Sequence, residues 1–315
     1  MTLLKIIQKH LKVTTFFISL FCVSSLEATK TIGITQIVDH PSLNAIREGI
    51  LEGLAKEGFV DGKNLTVIYE NAQGNPTTAA QIAQKFAGLQ LDVIIPISTP
   101  SAQTIVQQIK KTPIIFAAIS DPLSAKIVSS LTHPGENVTG VADIPPLQEQ
   151  LNFMETCIPH LKTLGVVYNP GEVNNVSFLK ELRRLAHKKQ IKIVVAAAPK
   201  SADVNAAAKS IVSKVDAIFI GNDNTVVSGL EPLIKVSLDA NKPLFVSDPD
   251  SVNRGAFAAY AYDQRQIGQQ VGKMVVEVLK GKNPGDIPVE TPKDLKVTIN
   301  PKTAEKIKVT CAITR

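Results

Sequence analysis

The stretch AIFIGNDNTVVSGLE (residues 217–231) decides the fold. Its first four residues are apolar and β-branched or aromatic, polar side chains crowd the next positions, and a helix-like pattern follows. Continuous apolar strands that alternate with helices are typical of parallel sheets covered on both faces. We therefore predict an α/β protein whose polar loops lie at strand carboxyl ends. The same pattern recurs in VIIPISTPSAQ (93–103), IIFAAISDPL (114–123), GVVYNPGEVNN (165–175) and LFVSDPDSV (244–252).

The 315-residue chain divides into two similar halves. Residues 31–118 and 163–247 each contain four predicted strands and three predicted helices, and the Pro- and Gly-rich segment 133–150 connects them. We predict two hinged lobes, each with a parallel sheet flanked by helices, that face each other across a cleft. The expected boundaries are residues 29–143 plus 264–290 for lobe 1 and residues 144–263 plus 291–315 for lobe 2.

The first 28 residues resemble a secretory signal peptide. Lysines precede the apolar run 13–23, and small or polar residues follow it. This run is too short to span a bilayer comfortably. A lipid anchor at Cys22 is disfavoured because Phe21, a large residue, stands directly before it. We predict export to the periplasm and a signal peptide over residues 1–28, with cleavage after Ser25 or after Ala28.

Composition excludes several classes of function. The net charge of +6 is small for 315 residues, and no stripe of basic and aromatic residues predicts nucleic-acid binding. There is neither a CxxC motif nor a His/Cys cluster, so we predict no metal and no cofactor. Export would permit a disulfide between Cys157 and Cys311, but their spacing does not require one.

No catalytic motif is recognisable. The chain lacks a GxSxG elbow, and GFVDGKN (58–64) has neither the spacing nor the Ser or Thr of a phosphate-binding loop. Among the histidines, only His40 is placed to reach the cleft, and a role at the start of a helix explains it better than a role as a general base. We therefore predict a binding protein, with an exported enzyme or the sensing domain of a repressor as alternatives.

The polar loops suit a small zwitterion. Hydroxyl groups beside helix N-termini favour a carboxylate, and carboxylates in a partly desolvated cleft require a cation. An α-amino acid offers both groups, with Asp223 or Asp248 expected to hold the ammonium. The alternative is that these residues only cap helices and form turns.

Several segments in order resemble a known family. They include STPSAQ (98–103), HPGENVTGVAD (133–143), YNPGEVNN (168–175) and SDPDSVNRGA (247–256). Together they are similar to ABC-transporter substrate-binding proteins of the tryptophan/tyrosine type. The resemblance implies a type I periplasmic-binding-protein fold with three hinge crossings, and a monomer that delivers a small ligand to a membrane permease driven by a separate ATPase. A receptor-linked sensor, or a sugar or nucleoside-type ligand, is the alternative.

The resemblance also implies a set of ligand-binding residues. The chain departs from the family pattern at Tyr260 and Tyr262, which add bulk near the predicted hinge, and at Asn222, where Thr is expected in relatives. The implied residues are Gln36, Thr99, Ser101, Ser120, Asp121, Asn169, Glu172, Asp223, Asn224 and Asp248.

Overall fold

A computed structural model describes residues 29–312, so the predicted signal peptide lies outside the described residues. The strands are β1 (Lys30–Gln36), β2 (Leu65–Asn71), β3 (Val93–Ile97), β4 (Ile114–Ile119), β5 (Val138–Ala142), β6 (Thr163–Tyr168), β7 (Lys192–Ala197), β8 (Ala217–Ile220), β9 (Leu244–Val246), β10 (Ala258–Tyr262) and β11 (Leu295–Ile299). The helices are α1 (Pro41–Lys56), α2 (Pro76–Ala87), α3 (Thr99–Gln108), α4 (Leu147–Cys157), α5 (Val173–Lys188), α6 (Val204–Ile211), α7 (Asn224–Ser228), α8 (Leu230–Asp239), α9 (Pro249–Asn253), α10 (Gln264–Leu279) and α11 (Pro301–Ile307).

These elements build two sheets covered by helices, which confirms the predicted fold class. The first sheet has the order β2-β1-β3-β4-β5 and is parallel throughout. The second has the order β11-β10-β9-β8-β6-β7, and only β11 runs antiparallel to its neighbour. Strands β3 and β8 are buried along their whole length, as expected for strands covered on both faces.

The main local difference from the sequence prediction lies after β8. The helix-like pattern that follows the strand at residues 217–220 predicts a single helix, but the structure has α7 and α8 with a break at Gly229. Gly229 has φ −114° and ψ 38°, which is not helical. A Cβ atom at this position would lie only 3.0 Å from the Ser201 carbonyl oxygen. Glycine therefore permits a close approach that ends α7 near the cleft.

The chain passes between the sheets three times: after β5, after β10 and before β11. Helix α10 returns to the first sheet and packs closely on α1. A Cβ atom on Gly49, Gly53, Gly268 or Gly272 would lie 2.1–2.6 Å from a carbonyl oxygen of the opposite helix. The glycines thus let the two backbones touch, and they place the first residue of α10, Gln264, in the cleft.

A disulfide joins Cys157, the last residue of α4, to Cys311 near the carboxyl terminus. The amide N–H of Ala312 also donates to the Thr156 carbonyl, at 3.0 Å, so the tail is held along the end of α4. The structure therefore contains the disulfide that the sequence permits but does not require. Within residues 29–312, no helix is both long and apolar enough to cross a membrane, and no cluster of His, Cys, Asp or Glu is placed to hold a metal ion.

Candidate ligand-binding cleft

The carboxyl ends of the two sheets face each other and enclose a cavity between the lobes. Its empty volume is about 410 Å³, including space open to solvent at its mouth. The lining residues are His40, Ser42, Leu43, Ser98, Thr99, Ala118, Ser120, Asp143, Asn174, Asn222, Asp223, Asn224, Val227, Asp248 and Gln264.

One wall of the cavity is rich in free hydrogen-bond donors. The first backbone bond of α3 runs from Ala102 N to Ser98 O, at 3.1 Å, so the N–H groups of Thr99 and Ser101 have no acceptor within the helix. No side chain caps α3, and Pro100 has no N–H to cap. The hydroxyls of Ser98 and Ser101 are buried without a partner among the described residues. We call Ser98 and Thr99, which line the cavity, together with Ser101 in the same turn of α3, the donor corner.

The backbone is strained beside this corner. Ser98 has φ +76° and Ala118 has φ +56°, and both residues line the cavity. Ala118 lies at a bulge where the register of β4 against β5 shifts. Left-handed conformations are unfavourable for residues with a Cβ atom, and they concentrate at functional sites. Because this strain reduces stability, it indicates a functional site at the ends of β3 and β4.

Unused acceptors gather on the other side of the cavity, around Asn222. Its side-chain amide donates to Asp143 Oδ2 at 2.9 Å and more weakly to Ser120 Oγ at 3.4 Å. The backbone carbonyl of Asn222 accepts from Asn174 Nδ2 at 2.8 Å. Asn174 Oδ1 is buried with no hydrogen-bond partner among residues 29–312. We call Ser120, Asp143 and Asn174 the acceptor corner.

Asp143 is the carboxylate of this corner with spare capacity. Gln264 Nε2 also donates to its Oδ2, at 3.3 Å, and no described residue donates to Oδ1. The side chain is only 4% exposed. Burial raises the pKa of Asp143 to about 6, and nearby Asp248 adds to this, while the bonds from Gln264 and Asn222 oppose it. A cation bound at Oδ1 would therefore relieve an electrostatic cost.

Asp223 lines the same cavity, but its oxygens are largely occupied. Oδ1 accepts from Val226 N at 2.9 Å and caps α7, and Oδ2 accepts from Asn169 N at 2.6 Å and from Asn175 Nδ2 at 2.7 Å. Burial, with a smaller effect from Glu172, raises the pKa of Asp223 well above its usual range. These contacts give Asp223 a structural role in holding the loops after β6 and β8 together.

Asp248 connects the lobes. Its Oδ1 accepts from Ser42 Oγ at 2.6 Å across the cleft and from Ser251 N at 2.7 Å, and its Oδ2 accepts from Ser251 Oγ at 2.7 Å. Ser42 lies in the first turn of α1. Together with the Asn222–Asp143 bond, this contact shows that the structure represents a conformation in which the lobes touch.

His40 has two distinct nitrogen environments. Nδ1 accepts from Leu43 N at 3.4 Å and caps α1, so the proton of the neutral ring resides on Nε2. Nε2 is buried and has no hydrogen-bond partner among the described residues. Burial lowers the pKa of His40 to about 4, so the ring is uncharged at neutral pH. His40 therefore combines the helix-start role with an unused donor at the cavity.

The residues predicted from sequence fall into three groups. Thr99, Ser120, Asp223, Asn224 and Asp248 line the cavity, and Ser101 lies in the same turn of α3 as Thr99. Asn169 and Glu172 line a wider outer groove, where Glu172 accepts from the Asn224 and Thr225 side chains.

Gln36 and Asp121 lie outside the cavity lining. Gln36 is fully buried beneath the first lobe's loops, where its amide donates to the Val38 carbonyl and the Asn44 side chain, both at 2.8 Å. Asp121 lines a neighbouring groove and accepts from Ser124 N at 3.0 Å.

The sequence-derived site set omitted Asp143, Asn174 and Gln264. Asp143 follows a short strand that was interpreted as part of a crossover, and the polar residue directly after that strand was the available signal. Tyr260 and Tyr262, which depart from the family pattern, do not line the cavity. Tyr260 packs against Phe153, with ring centroids 6.1 Å apart.

Comparisons with known proteins agree with this architecture. The sequence model of the family described as "ABC transporter substrate binding protein" matches residues 31–313. A relative from Clostridioides difficile (strain R20291), described as a tyrosine-binding protein, is 37% identical over 278 residues, covering 88% of this chain and 81% of the relative.

Two solved structures with the same sequence identity to this chain superpose on it to different extents. A domain from Streptococcus pneumonia in complex with L-Trp superposes with a TM-score of 0.86 at 35% identity, over 90% of this chain and 96% of that one. The ligand-free, open structure of a substrate-binding protein with adhesive properties from Clostridium difficile gives 0.69, also at 35% identity, over 89% and 95%. The present conformation is thus nearer to the L-Trp complex.

The family match spans almost the whole described chain, and the two lobes, the three crossings and the cavity between the strand ends agree with it. The family consists of solute-binding components rather than enzymes, as the sequence predicts. This chain belongs to the family of ABC transporter substrate-binding proteins.

Proposed function

We propose that the protein captures an α-amino acid in the interlobe cavity, outside the cytoplasm, and delivers it to the permease of an ABC importer. The main support for this proposal is that unpaired hydrogen-bond donors and unpaired acceptors lie at different ends of one cavity. Donors without partners lie at the end of β3, and acceptors without partners lie around Asn222. A ligand with one carboxylate and one ammonium would satisfy both sets.

The carboxylate would bind at the donor corner. The uncapped start of α3 offers two backbone N–H groups and the positive end of the helix dipole. The hydroxyls of Ser98 and Ser101 add two donors that are already desolvated, so an incoming anion would not have to strip water from them.

The ammonium would bind at the acceptor corner, between Asp143 Oδ1 and Asn174 Oδ1. This assignment differs from the expectation that Asp223 or Asp248 provides the charge. Each of those carboxylates already accepts three hydrogen bonds from the protein, whereas Asp143 accepts two at a single oxygen. Asp143 therefore has the most to gain from a cation.

Closure follows from ligand contacts with both lobes. The donor corner belongs to the first lobe, and Asn174 and Asn222 belong to the second, so a bound amino acid would favour the closed form through contacts that exist only there. An aromatic amino acid is the best candidate, because the similar proteins named above are a tyrosine-binding protein and an L-Trp complex.

A sugar is less well supported by the cavity. Sugar sites in such clefts usually stack the ligand on aromatic rings, and among the described residues no Phe, Tyr or Trp lines this cavity. Its apolar contacts come from Leu43, Ala118 and Val227 instead. These aliphatic side chains can pack on an amino-acid side chain without requiring a stacked ring.

Isothermal titration calorimetry with matched ligands tests the proposal. We expect L-tyrosine to bind, and L-tyrosine amide and the desamino analogue 3-(4-hydroxyphenyl)propionate each to bind at least tenfold more weakly, since each leaves one corner unpaired. Glucose and inositol serve as controls and should give no heat of binding. Sugar binding without amino-acid binding, or equal affinity for tyrosine and both analogues, would overturn the proposal.

A further inference from the structure

The N–H group at Nε2 of His40 is not explained by the binding of the ligand's main-chain groups. The side chain is only 7% exposed, and it lines the cavity. The Asn224 side chain lies beside the ring, and because its amide nitrogen is bound to Glu172 Oε2 at 2.6 Å, its amide oxygen is the atom left to approach Nε2. No described atom, this oxygen included, accepts a hydrogen bond from Nε2, so this residue of the cavity lining keeps an unsatisfied, desolvated donor.

The strand order places this donor far from the acceptor corner. His40 follows β1 and Asp143 follows β5, and β3 and β4 lie between them in the sheet. Three strand spacings amount to about 14 Å. This spacing separates the strand ends, so a ligand that binds both groups needs a side chain that reaches well beyond its main-chain groups. Only an amino acid with a long side chain spans this distance.

The chemistry of the donor restricts the atom that it binds. The tautomer is fixed because Nδ1 accepts from Leu43 N, so Nε2 donates and does not accept. The uncharged ring also gives no reason for an anionic partner. A phenolic oxygen accepts such a bond, whereas the ring of phenylalanine has no acceptor and an indole N–H is itself a donor.

We propose that His40 is a specificity-determining residue whose Nε2–H donates to a hydroxyl oxygen at the end of the ligand's side chain, so that the cleft prefers tyrosine to phenylalanine and tryptophan. The inference rests on the proposed amino-acid-binding function. A site that pairs a buried donor with a ligand hydroxyl rejects analogues without it, because the donor then stays unpaired.

Two substitutions of His40 separate its two roles. His40→Asn retains an oxygen that can cap α1, since Asn is a good N-cap residue, but it removes the donor at the Nε2 position. His40→Gln places an amide N–H near that position but is a poor cap. The readout is the ratio of L-tyrosine to L-phenylalanine affinity, measured by calorimetry, together with the melting temperature of each ligand-free variant.

We expect the wild-type protein to prefer L-tyrosine by at least tenfold, His40→Asn to bring the ratio near one with little change in melting temperature, and His40→Gln to restore part of the ratio while melting at a lower temperature. Equal wild-type affinities, or an unchanged ratio in His40→Asn, would overturn this inference and leave the proposed function intact. If L-tyrosine, L-phenylalanine and L-tryptophan all fail to bind to the wild-type protein, this inference and the assignment of an aromatic ligand are wrong, and the proposed function is then tested with the remaining amino acids.

Discussion

Replacing Asp143 by asparagine is expected to stabilise the ligand-free protein at neutral pH and, at the same time, to weaken ligand binding. The substitution conserves shape, and the new amide oxygen can still accept from Asn222 and Gln264. What it removes is a negative charge that is almost completely buried. Functional sites commonly contain buried charges that destabilise the fold. Removing such a charge raises the free energy of unfolding but weakens function.

The magnitude follows from the pKa of Asp143. Folding raises it from 3.8 to about 6, chiefly through burial. The folded protein thus holds this proton more tightly than the unfolded chain, so the contribution to stability is complete below about pH 4 and is lost as the pH rises to about 6. A shift of about two units corresponds to about 3 kcal/mol. Asp143→Asn should recover up to this amount at pH 7.5 and almost none at pH 4.

Urea unfolding of the ligand-free protein at pH 4 and pH 7.5 measures this difference. Asp294→Asn, in an exposed loop, is the matched control and should change stability at neither pH. A stability difference between Asp143→Asn and the wild-type protein that does not depend on pH would refute the electrostatic argument. So would a variant that is less stable than the wild type at pH 7.5.

The same carboxylate links ligand affinity to pH. If the ligand's ammonium pairs with Asp143, affinity should fall as the pH drops through about 6, because the carboxyl group becomes protonated. Asp143→Asn should bind L-tyrosine about 30-fold more weakly or worse at pH 7.5, since breaking a buried charge pair costs about 2 kcal/mol or more. Wild-type affinity for L-tyrosine that is constant between pH 5 and pH 8 would exclude Asp143 as the partner of the ammonium.

Two further predictions concern the scaffold. Gly268→Ala would place a Cβ atom 2.1 Å from the Ile46 carbonyl oxygen, so we expect it to destabilise the protein by about 1–3 kcal/mol in urea unfolding; Gly88→Ala, whose Cβ would lie 3.5 Å from its nearest neighbour, is the control and should cost nothing. Breaking the Cys157–Cys311 bond, which closes a loop with a sequence separation of 154 residues, should lower the free energy of unfolding by about 2–5 kcal/mol without changing ligand affinity; equal urea midpoints with and without a reducing agent would contradict this.

The fold class and the family follow from the order of apolar and polar residues along the chain. Side chains of apolar strands such as residues 217–220 are unfavourable in contact with water. Because these strands alternate with helices, the favoured arrangement is a parallel sheet that helices cover on both faces. The polar residues after each strand then had to gather at the carboxyl ends. For this reason Thr99, Ser120, Asp223, Asn224 and Asp248 all lie at the cavity.

Which of these polar groups are free to bind a ligand depends on contacts between residues that are distant along the chain. Asp143 directly follows β5, and Asp223 stands three residues beyond the end of β8. Nothing in the local sequence of either aspartate indicates whether its carboxylate oxygens are already paired. The difference lies in partners that are distant along the chain: Asn169 and Asn175 occupy Asp223, whereas Asn222 and Gln264 leave one oxygen of Asp143 open. Hydrogen-bond satisfaction is a property of the folded neighbourhood, so a sequence can place a carboxylate in the cleft but cannot show whether it is already paired.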